Sequence, residues 1–314
     1  MINLIYLSGN NTGGWVTFTY HLMRALEISG VPAQLWRVGN NTEAKARPFG
    51  YGLSYRNITL ADALGLSAVA LVAVAKQQAP AAAALIANDA RVVLHDPTEL
   101  RAGLAGVAVE RPWVIRRAVQ RQVPGSVFIR HPYARHAQPT KMPKKRGAIS
   151  ISRIDFDKHT DIILDANRLG AGVDIRGFEN RLYTRFKIVP KYPEWTQSAA
   201  HYDRQDPAAA FNLLLPCKFM VDMSLIKGDG GGTQYTTLEA WDAGTVPIIQ
   251  ADWLLPRDDM AAAGNCLAVT DALHLADTLR RAKDVAPLVE AGYRQLRKHA
   301  PKIIIPQVME WLNG

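Results

Sequence analysis

Three groups of residues in this chain have types and spacings suited to binding a ligand or acting on it. The first is Gly228-Asp229-Gly230-Gly231-Gly232-Thr233-Gln234-Tyr235-Thr236-Thr237-Leu238-Glu239, followed by Ala243-Gly244-Thr245-Val246-Pro247. A glycine-rich loop runs into a helix start, a short amphipathic helix, a stop at Gly244 and an apolar strand. That order builds an anion site, because free backbone amides and the positive end of the helix dipole face whatever docks there. A glycine loop alone reads equally as a turn. Glu239 sharpens the pattern. One turn into the helix, it could accept hydrogen bonds from a ribose while the amides hold a diphosphate. The combination describes a nucleotide-sugar site.

The second group is Arg153 and Lys158, which flank the first strand–helix turn of the chain's second half. Two cations there could neutralise a diphosphate, although each alone reads as a surface charge. The third is His95-Asp96, at the end of the apolar run 91–94. In α/β sheets, ligands bind at the carboxyl ends of strands. Asp96 either caps the following helix or orients an acceptor and helps take its proton, with His95 bonding a sugar hydroxyl. Gly13 and Gly14 occupy the first strand–helix turn, either as a tight turn or as a point where a phosphate or acceptor nears the backbone.

The elements that must position these groups follow from periodicity. Residues 2–7 read as a buried strand. Trp15, Phe18, Leu22, Leu26 and Ile28 give a helix over 15–29, and 33–38 is the next strand. This β–loop–α–β opening is that of a Rossmann-like half, without the GxGxxG spacing of a dinucleotide site. Residues 40–65 look irregular. Strands are expected at 69–74 and 91–94, with an alanine-rich helix over 77–88. In the second half, strands fall at 148–151, 219–224, 246–249 and 265–269, and 173–179 is a strand and loop. Helices fall at 160–169, 271–283, 285–299 and 306–312, and 180–212 shows no clear pattern.

A chain of 314 residues has room for about two domains. Its 37 basic and 28 acidic residues leave a net charge of +9, which suits a polyanionic partner or an anionic cofactor. Residues 111–147 hold ten basic side chains and no acidic one. Such a run is either a solvated face or, with Trp113, Phe128 and Tyr133 interleaved, a nucleic-acid track. Arg116, Arg117, Arg121, Arg130, Lys144, Lys145 and Arg146 are its candidate DNA contacts. Residues 141–147 are the expected linker between a domain over 1–140 and one over 148–300. Two cysteines without a CxxC spacing suggest neither disulfides nor structural zinc, hence a cytoplasmic setting. The start lacks a basic n-region, so no signal peptide is expected. The longest apolar run, 66–75, is too short for a bilayer.

In order, Gly13-Gly14, Arg153 with Lys158, and 234–247 resemble the motifs of retaining GT-B glycosyltransferases. The last of these is most similar to the phage α-glucosyltransferases that modify hydroxymethylated cytosine in DNA, and the run ending in His95-Asp96 resembles their His-Asp motif. The resemblance lies in scattered motifs covering about a quarter of the chain. It implies a GT-B fold, two Rossmann-like domains facing across a cleft, with residues 301–314 returning to the first. It further implies a UDP-sugar donor held by Gly13, Gly14, Arg153, Lys158, Tyr235, Thr236, Thr237 and Glu239, with Asp96 and His95 at the acceptor. No cofactor or metal beyond the donor is expected. The expected partner is double-stranded DNA with hydroxymethylated bases, in an infected bacterial cell, without stable membrane association. A polysaccharide or glycolipid acceptor is the alternative within the fold, and a nucleic-acid-binding protein with an inactive nucleotide site is the alternative outside it. One departure is clear: where such enzymes often carry a glutamate, eight positions before the ribose-binding one, this chain has Gly231.

Overall fold

The computed structural model describes residues 1–9, 13–96, 98–195, 203, 205–225, 231–254 and 259–314. The chain divides into two compact units: Met1–Ala134, Gln205–Pro207 and Lys298–Gly314 form one, and Arg135–Arg204 with Ala208–Arg297 form the other. The division falls after Ala134, ahead of the segment 141–147 expected as a linker. The reason is local. The backbone of His136 and the side chains of Arg135 and Gln138 are already bonded to Asp242 of the second unit, and the linker's last two residues open a strand.

The first unit is built on strands β1 (Ile2–Tyr6), β2 (Ala33–Val38), β3 (Arg47–Gly50), β4 (Leu53–Ile58), β5 (Val69–Val72), β6 (Arg91–Leu94), β7 (Trp113–Val114) and β8 (Val127–Phe128). They form one sheet in the order β3-β4-β2-β1-β5-β6-β7-β8. Neighbours are parallel except for the antiparallel β3–β4 pair. β1 and β5 are buried along their whole length, as central strands covered on both faces must be. The helix Gly14–Ile28 buries Val16, Phe18, Leu22, Ala25 and Leu26. The region 40–65, expected to be irregular, holds the hairpin β3–β4 and a short helix, Leu60–Leu64, capped by Thr59. The hairpin lies at the sheet edge, where polar residues are tolerated on both faces, so no apolar alternation marked it.

The C-terminal stretch belongs to this unit from Lys298 onward. Its helix spans Pro301–Asn313 and begins five residues before the expected start, because Pro306 sits inside it and does not open it. Trp311 is fully buried, its indole N–H donating to the Arg111 carbonyl at 2.8 Å and its ring meeting Trp113 edge-on at 5.5 Å.

The second unit is a five-stranded parallel sheet. Its strands are β9 (Arg146–Ser150), β10 (Val173–Ile175), β11 (Cys217–Asp222), β12 (Val246–Gln250) and β13 (Leu267–Val269), in the order β10-β9-β11-β12-β13. Ile163, Val221, Ile248 and Leu275 lie in its core. Cys217 and Cys266 are free thiols. Among the described residues no helix is long and apolar enough to cross a membrane. Within each sheet the parallel strands end at one edge, the edge at which α/β folds bind ligands.

Replacing Trp311 by Ala removes a buried indole together with its hydrogen bond. The expected loss is about 3–5 kcal/mol, read as a lower urea midpoint for the first unit. Lys302→Ala, on the exposed side of the same helix, is expected to change stability by less than about 0.5 kcal/mol.

Candidate active site

In the second unit the loop after β9 carries Arg153 and Lys158. It passes so close to Gly177 that a Cβ there would lie 1.9 Å from the Ser152 carbonyl oxygen. Arg153 is half exposed, and its guanidinium pairs with Asp155 at 3.2 Å and Asp157 at 2.9 Å. Asp155-Phe156-Asp157 is an Asp-x-Asp spacing that the expectation of a metal-free site passed over; both carboxylates are engaged by Arg153.

Lys158 is 7% exposed. Its ammonium donates to Ser224 Oγ at 2.7 Å and to Gln234 Oε1 at 3.4 Å. Ser224 donates in turn to Asp222 Oδ1. The lysine thus joins the β9 loop, the end of β11 and the residue before the next helix. No carboxylate pairs with it among the described residues. A buried ammonium has three donors and a large desolvation penalty, so an anion is the partner that this geometry lacks.

The helix Tyr235–Asp242 starts beside it. Gln234 precedes it in extended conformation without a side-chain cap, and no acidic residue lies in its first turn. The hydroxyls of Thr233 and Thr236 are buried and have no hydrogen-bond partner among the described residues. Orphaned hydroxyls are costly unless a ligand satisfies them. Thr237 points its hydroxyl at the Met260 sulfur, 3.8 Å away. Tyr235 is buried, and burial, then Glu239, pushes its phenol well above its usual range.

Glu239 is buried, and burial, reinforced by Asp242, pushes its carboxyl up to about 8. Asp242 itself is closed off by Arg135 at 2.6 Å, the His136 amide at 2.9 Å and Gln138 at 3.1 Å. A ring nitrogen of His136 lies within 4.8 Å of a Glu239 carboxylate oxygen, and the ring stacks on Phe211.

Of the glycine loop, residues 228–230 lie outside the described residues. Gly231 and Gly232 adopt φ of +80° and +105°. A Cβ at Gly231 would sit 2.2 Å from the Trp253 carbonyl oxygen. The Trp253 indole donates to the Gly232 carbonyl at 2.8 Å, and the Gly232 amide donates to the Trp253 carbonyl at 3.3 Å. Position 231 therefore has no room for a glutamate along this backbone path. Sequence reasoning missed Trp253, Ser224, Gln234 and Thr233. Thr233 and Gln234 stood in the motif and were legible as polar residues at a helix start, whereas Ser224 and Trp253 carried no spacing signal.

In the first unit, Gly13 has a φ of +86° and Gly14 begins the helix. A Cβ on Gly14 would lie 3.1 Å from His95 Nε2, so the glycine makes room for the imidazole over the helix start. The backbone of His95 is held on both sides. Its amide donates to Glu99 Oε2 at 3.1 Å, and its carbonyl accepts from Arg116 Nη2 at 2.8 Å. Glu99 also accepts from the Trp15 indole at 2.8 Å. Desolvation, then the neighbouring Asp96, pushes the Glu99 carboxyl well above the usual range. Asp96 Oδ1 accepts from the amide and hydroxyl of Thr98, the first residue of the helix Thr98–Ala102. Pro97 lies outside the described residues.

The basic segment divides between the two units. Arg116 is 2% exposed and bonded to His95, so it is not a surface cation. Lys145 is half-buried, and its ammonium bonds the Ala243 carbonyl and Thr245 Oγ1, fastening β9 to the end of the Tyr235–Asp242 helix. Burial lowers it to about 8. Both residues leave the surface because internal carbonyls claim their donors. Arg117 and Arg130 lie over the Phe128 ring at 4.2 and 5.4 Å, and Arg121, Lys144 and Arg146 are exposed.

No family model and no curated protein matches the sequence. Solved structures do. An α-glucosyltransferase in complex with UDP aligns at a TM-score of 0.70 and 13% identity over 100% of both chains. The same values hold for an α-glucosyltransferase with UDP and a DNA 13-mer containing a HMU base. A glycosyltransferase from Rickettsia africae ESF-5 aligns at 0.65 and 12% identity, over 99% of this chain and 98% of that one. Anabaena Alr3699/HepE in complex with UDP-glucose aligns at 0.62 and 13% identity over 100% of both. The two parallel-sheet units and this likeness make the fold that of the GT-B glycosyltransferases.

Proposed function

We propose that the chain is a UDP-sugar-dependent, retaining hexosyltransferase whose acceptor is DNA. It would move a sugar, glucose first, onto the hydroxymethyl group of a 5-hydroxymethylpyrimidine in the cytoplasm of an infected bacterium. The observation that carries the donor half is the buried Lys158 ammonium, without a carboxylate partner among the described residues, set beside an uncapped helix start. The acceptor half is supported by the solved α-glucosyltransferase complex with DNA and by the positive net charge.

In this reading the donor diphosphate lies against the start of the Tyr235–Asp242 helix. Lys158 supplies charge, Arg153 turns from its aspartates to supply more, and the Thr233 and Thr236 hydroxyls donate. Glu239 accepts the ribose hydroxyls. These groups are fixed before the reaction, so they stabilise the developing charge on UDP without reorganisation. The bond from the anomeric carbon to the phosphate oxygen lengthens and breaks. The acceptor hydroxyl adds on the same face, and its proton passes to the departing phosphate oxygen. No metal enters the proposed step. His95, fixed through its backbone, serves the acceptor, while Asp96 keeps one carboxylate oxygen in its turn. Extruding the base from a duplex costs a few kcal/mol. Phosphate contacts from Arg117, Arg121, Arg130, Lys144 and Arg146 would offset it.

The deciding experiment is a mass-spectrometric transfer assay with UDP-glucose and three duplexes: unmodified, 5-hydroxymethylcytosine and 5-hydroxymethyluracil. Sugar is expected on a hydroxymethylated duplex and not on the unmodified one. Slow hydrolysis of UDP-glucose without transfer would remove the DNA acceptor and favour a glycan or lipid.

Arg153→Ala is expected to raise donor KM or lower kcat at least about tenfold, because a charge-assisted contact to a phosphate is lost. Wild-type kinetics would remove Arg153 from the donor site. Glu239 gives a pH signature. It is mostly protonated at neutral pH in the free protein, and accepting ribose hydroxyls favours its ionised form. Binding then lowers its pKa, so affinity rises as pH climbs towards the free value. UDP is expected to bind roughly fivefold to tenfold tighter at pH ~8.5 than at pH ~7, by calorimetry. Glu239→Gln should flatten that dependence, and a variant that keeps it would show that another group titrates.

A further inference from the structure

The geometry points to a second polynucleotide-binding face, on the short helical segment over residues 181–188 of the second unit; the inference rests on the DNA-acceptor reading above. Arg116 and Lys145 are tied inside the protein, so part of the cationic surface expected for a polyanion has to come from elsewhere. The sequence Arg181-Leu182-Tyr183-Thr184-Arg185-Phe186-Lys187 supplies it. Tyr183 is buried and anchors the segment, while Leu182 is 59% and Phe186 61% exposed. Arg181, Arg185 and Lys187 are exposed, and none pairs with a carboxylate among the described residues.

The nearby acids are already engaged. Asp155 accepts from Arg153 and Asn180, Asp161 from the Tyr183 hydroxyl, and Glu179 from the Trp195 indole. Among the described residues the three cations have no carboxylate partner, which suits them to an anion from outside. The face also adjoins the candidate donor site. Asn180 caps the segment and donates to Asp155 at 2.9 Å. Phe156, on the loop between Arg153 and Lys158, is 46% exposed and meets Tyr183 edge-on at 5.0 Å.

The chemistry favours nucleic acid over lipid. Two exposed aromatic rings stand among separate cations, and the Arg185 guanidinium lies 5.3 Å from the centre of the Phe186 ring. Rings and guanidinium planes stack with unpaired bases while neighbouring cations meet phosphates. A helix lying in a membrane interface needs a longer continuous apolar stripe than Leu182 and Phe186 provide.

The test uses the full chain, unmodified single-stranded and duplex oligonucleotides, and no donor. Binding is read by fluorescence anisotropy across a salt series. The triple variant Arg181→Ala/Arg185→Ala/Lys187→Ala is expected to weaken binding about tenfold and to reduce the slope of log K against log salt by roughly 2. Phe186→Ser is expected to weaken single-strand binding about tenfold with the slope unchanged. All four side chains are exposed, and an unchanged melting temperature confirms that the variants fold. If the wild type binds oligonucleotides and both variants match it, this face is overturned while the DNA reading stands. A wild type that ignores oligonucleotides overturns both, and its binding to phosphatidylglycerol vesicles would reassign the face to lipid.

Discussion

The second unit depends on one buried charge. Lys158 leaves the β9 loop and reaches the ends of two other segments through Ser224 and Gln234. An ammonium in that position is tolerable only if its donors are satisfied and its charge is answered. The protein answers the donors in part, with two neutral oxygens, and neither oxygen answers the charge. The same place offers a helix start with no acidic residue in its first turn and two buried hydroxyls without hydrogen-bond partners among the described residues. Each of these is unfavourable alone, and one anionic ligand with several oxygens relieves all of them. That convergence is a stronger argument for a phosphate site than the glycine loop, since glycines follow from turn geometry as readily as from binding.

Close backbone approaches fix the rest of the site. Gly231 runs against Trp253, Gly177 against Ser152, and Gly14 beneath His95. In each case a methyl group would intrude on a neighbour. At Gly231 and Gly177 the neighbour is backbone, which cannot swing aside. The missing glutamate at 231 is therefore part of a different packing solution, in which an indole closes the loop through two hydrogen bonds. Under the proposed donor reading, the sugar's hydroxyls would be held by residues other than 231.

The sequence made the frame legible because buried parallel strands are continuous apolar runs. β1, β5, β6 and β12 could be read this way, and the Gly14–Ile28 helix from its own periodicity. The edge hairpin β3–β4 could not, since a solvated edge needs no alternation. The site was legible where chemistry and local geometry coincide, as at Glu239, Arg153 and Lys158. It was not legible where a role depends on long-range contact. Nothing in the spacing of Ser224 or Trp253 announces a partner far away in sequence. Arg116 shows the opposite error: counted by charge it belongs to a basic track, yet its donors go to the carbonyl of His95.

Arg116 and Lys145 also show how far composition can carry an argument about partners. A net charge of +9 acts at long range whether or not a given cation is exposed, so it raises the encounter rate with any polyanion. Specific contact requires donors that the protein has not already used. Arg116 spends its guanidinium fixing the backbone of a candidate acceptor-side histidine, and Lys145 joins a strand to a helix end. Arg117 and Arg130 lie over the Phe128 ring, an arrangement that orders their guanidinium planes. Ordered guanidinium planes lose less entropy on meeting phosphate than free side chains do. The arginines held by an aromatic ring are thus better suited to a nucleic-acid backbone than their share of the total charge would suggest.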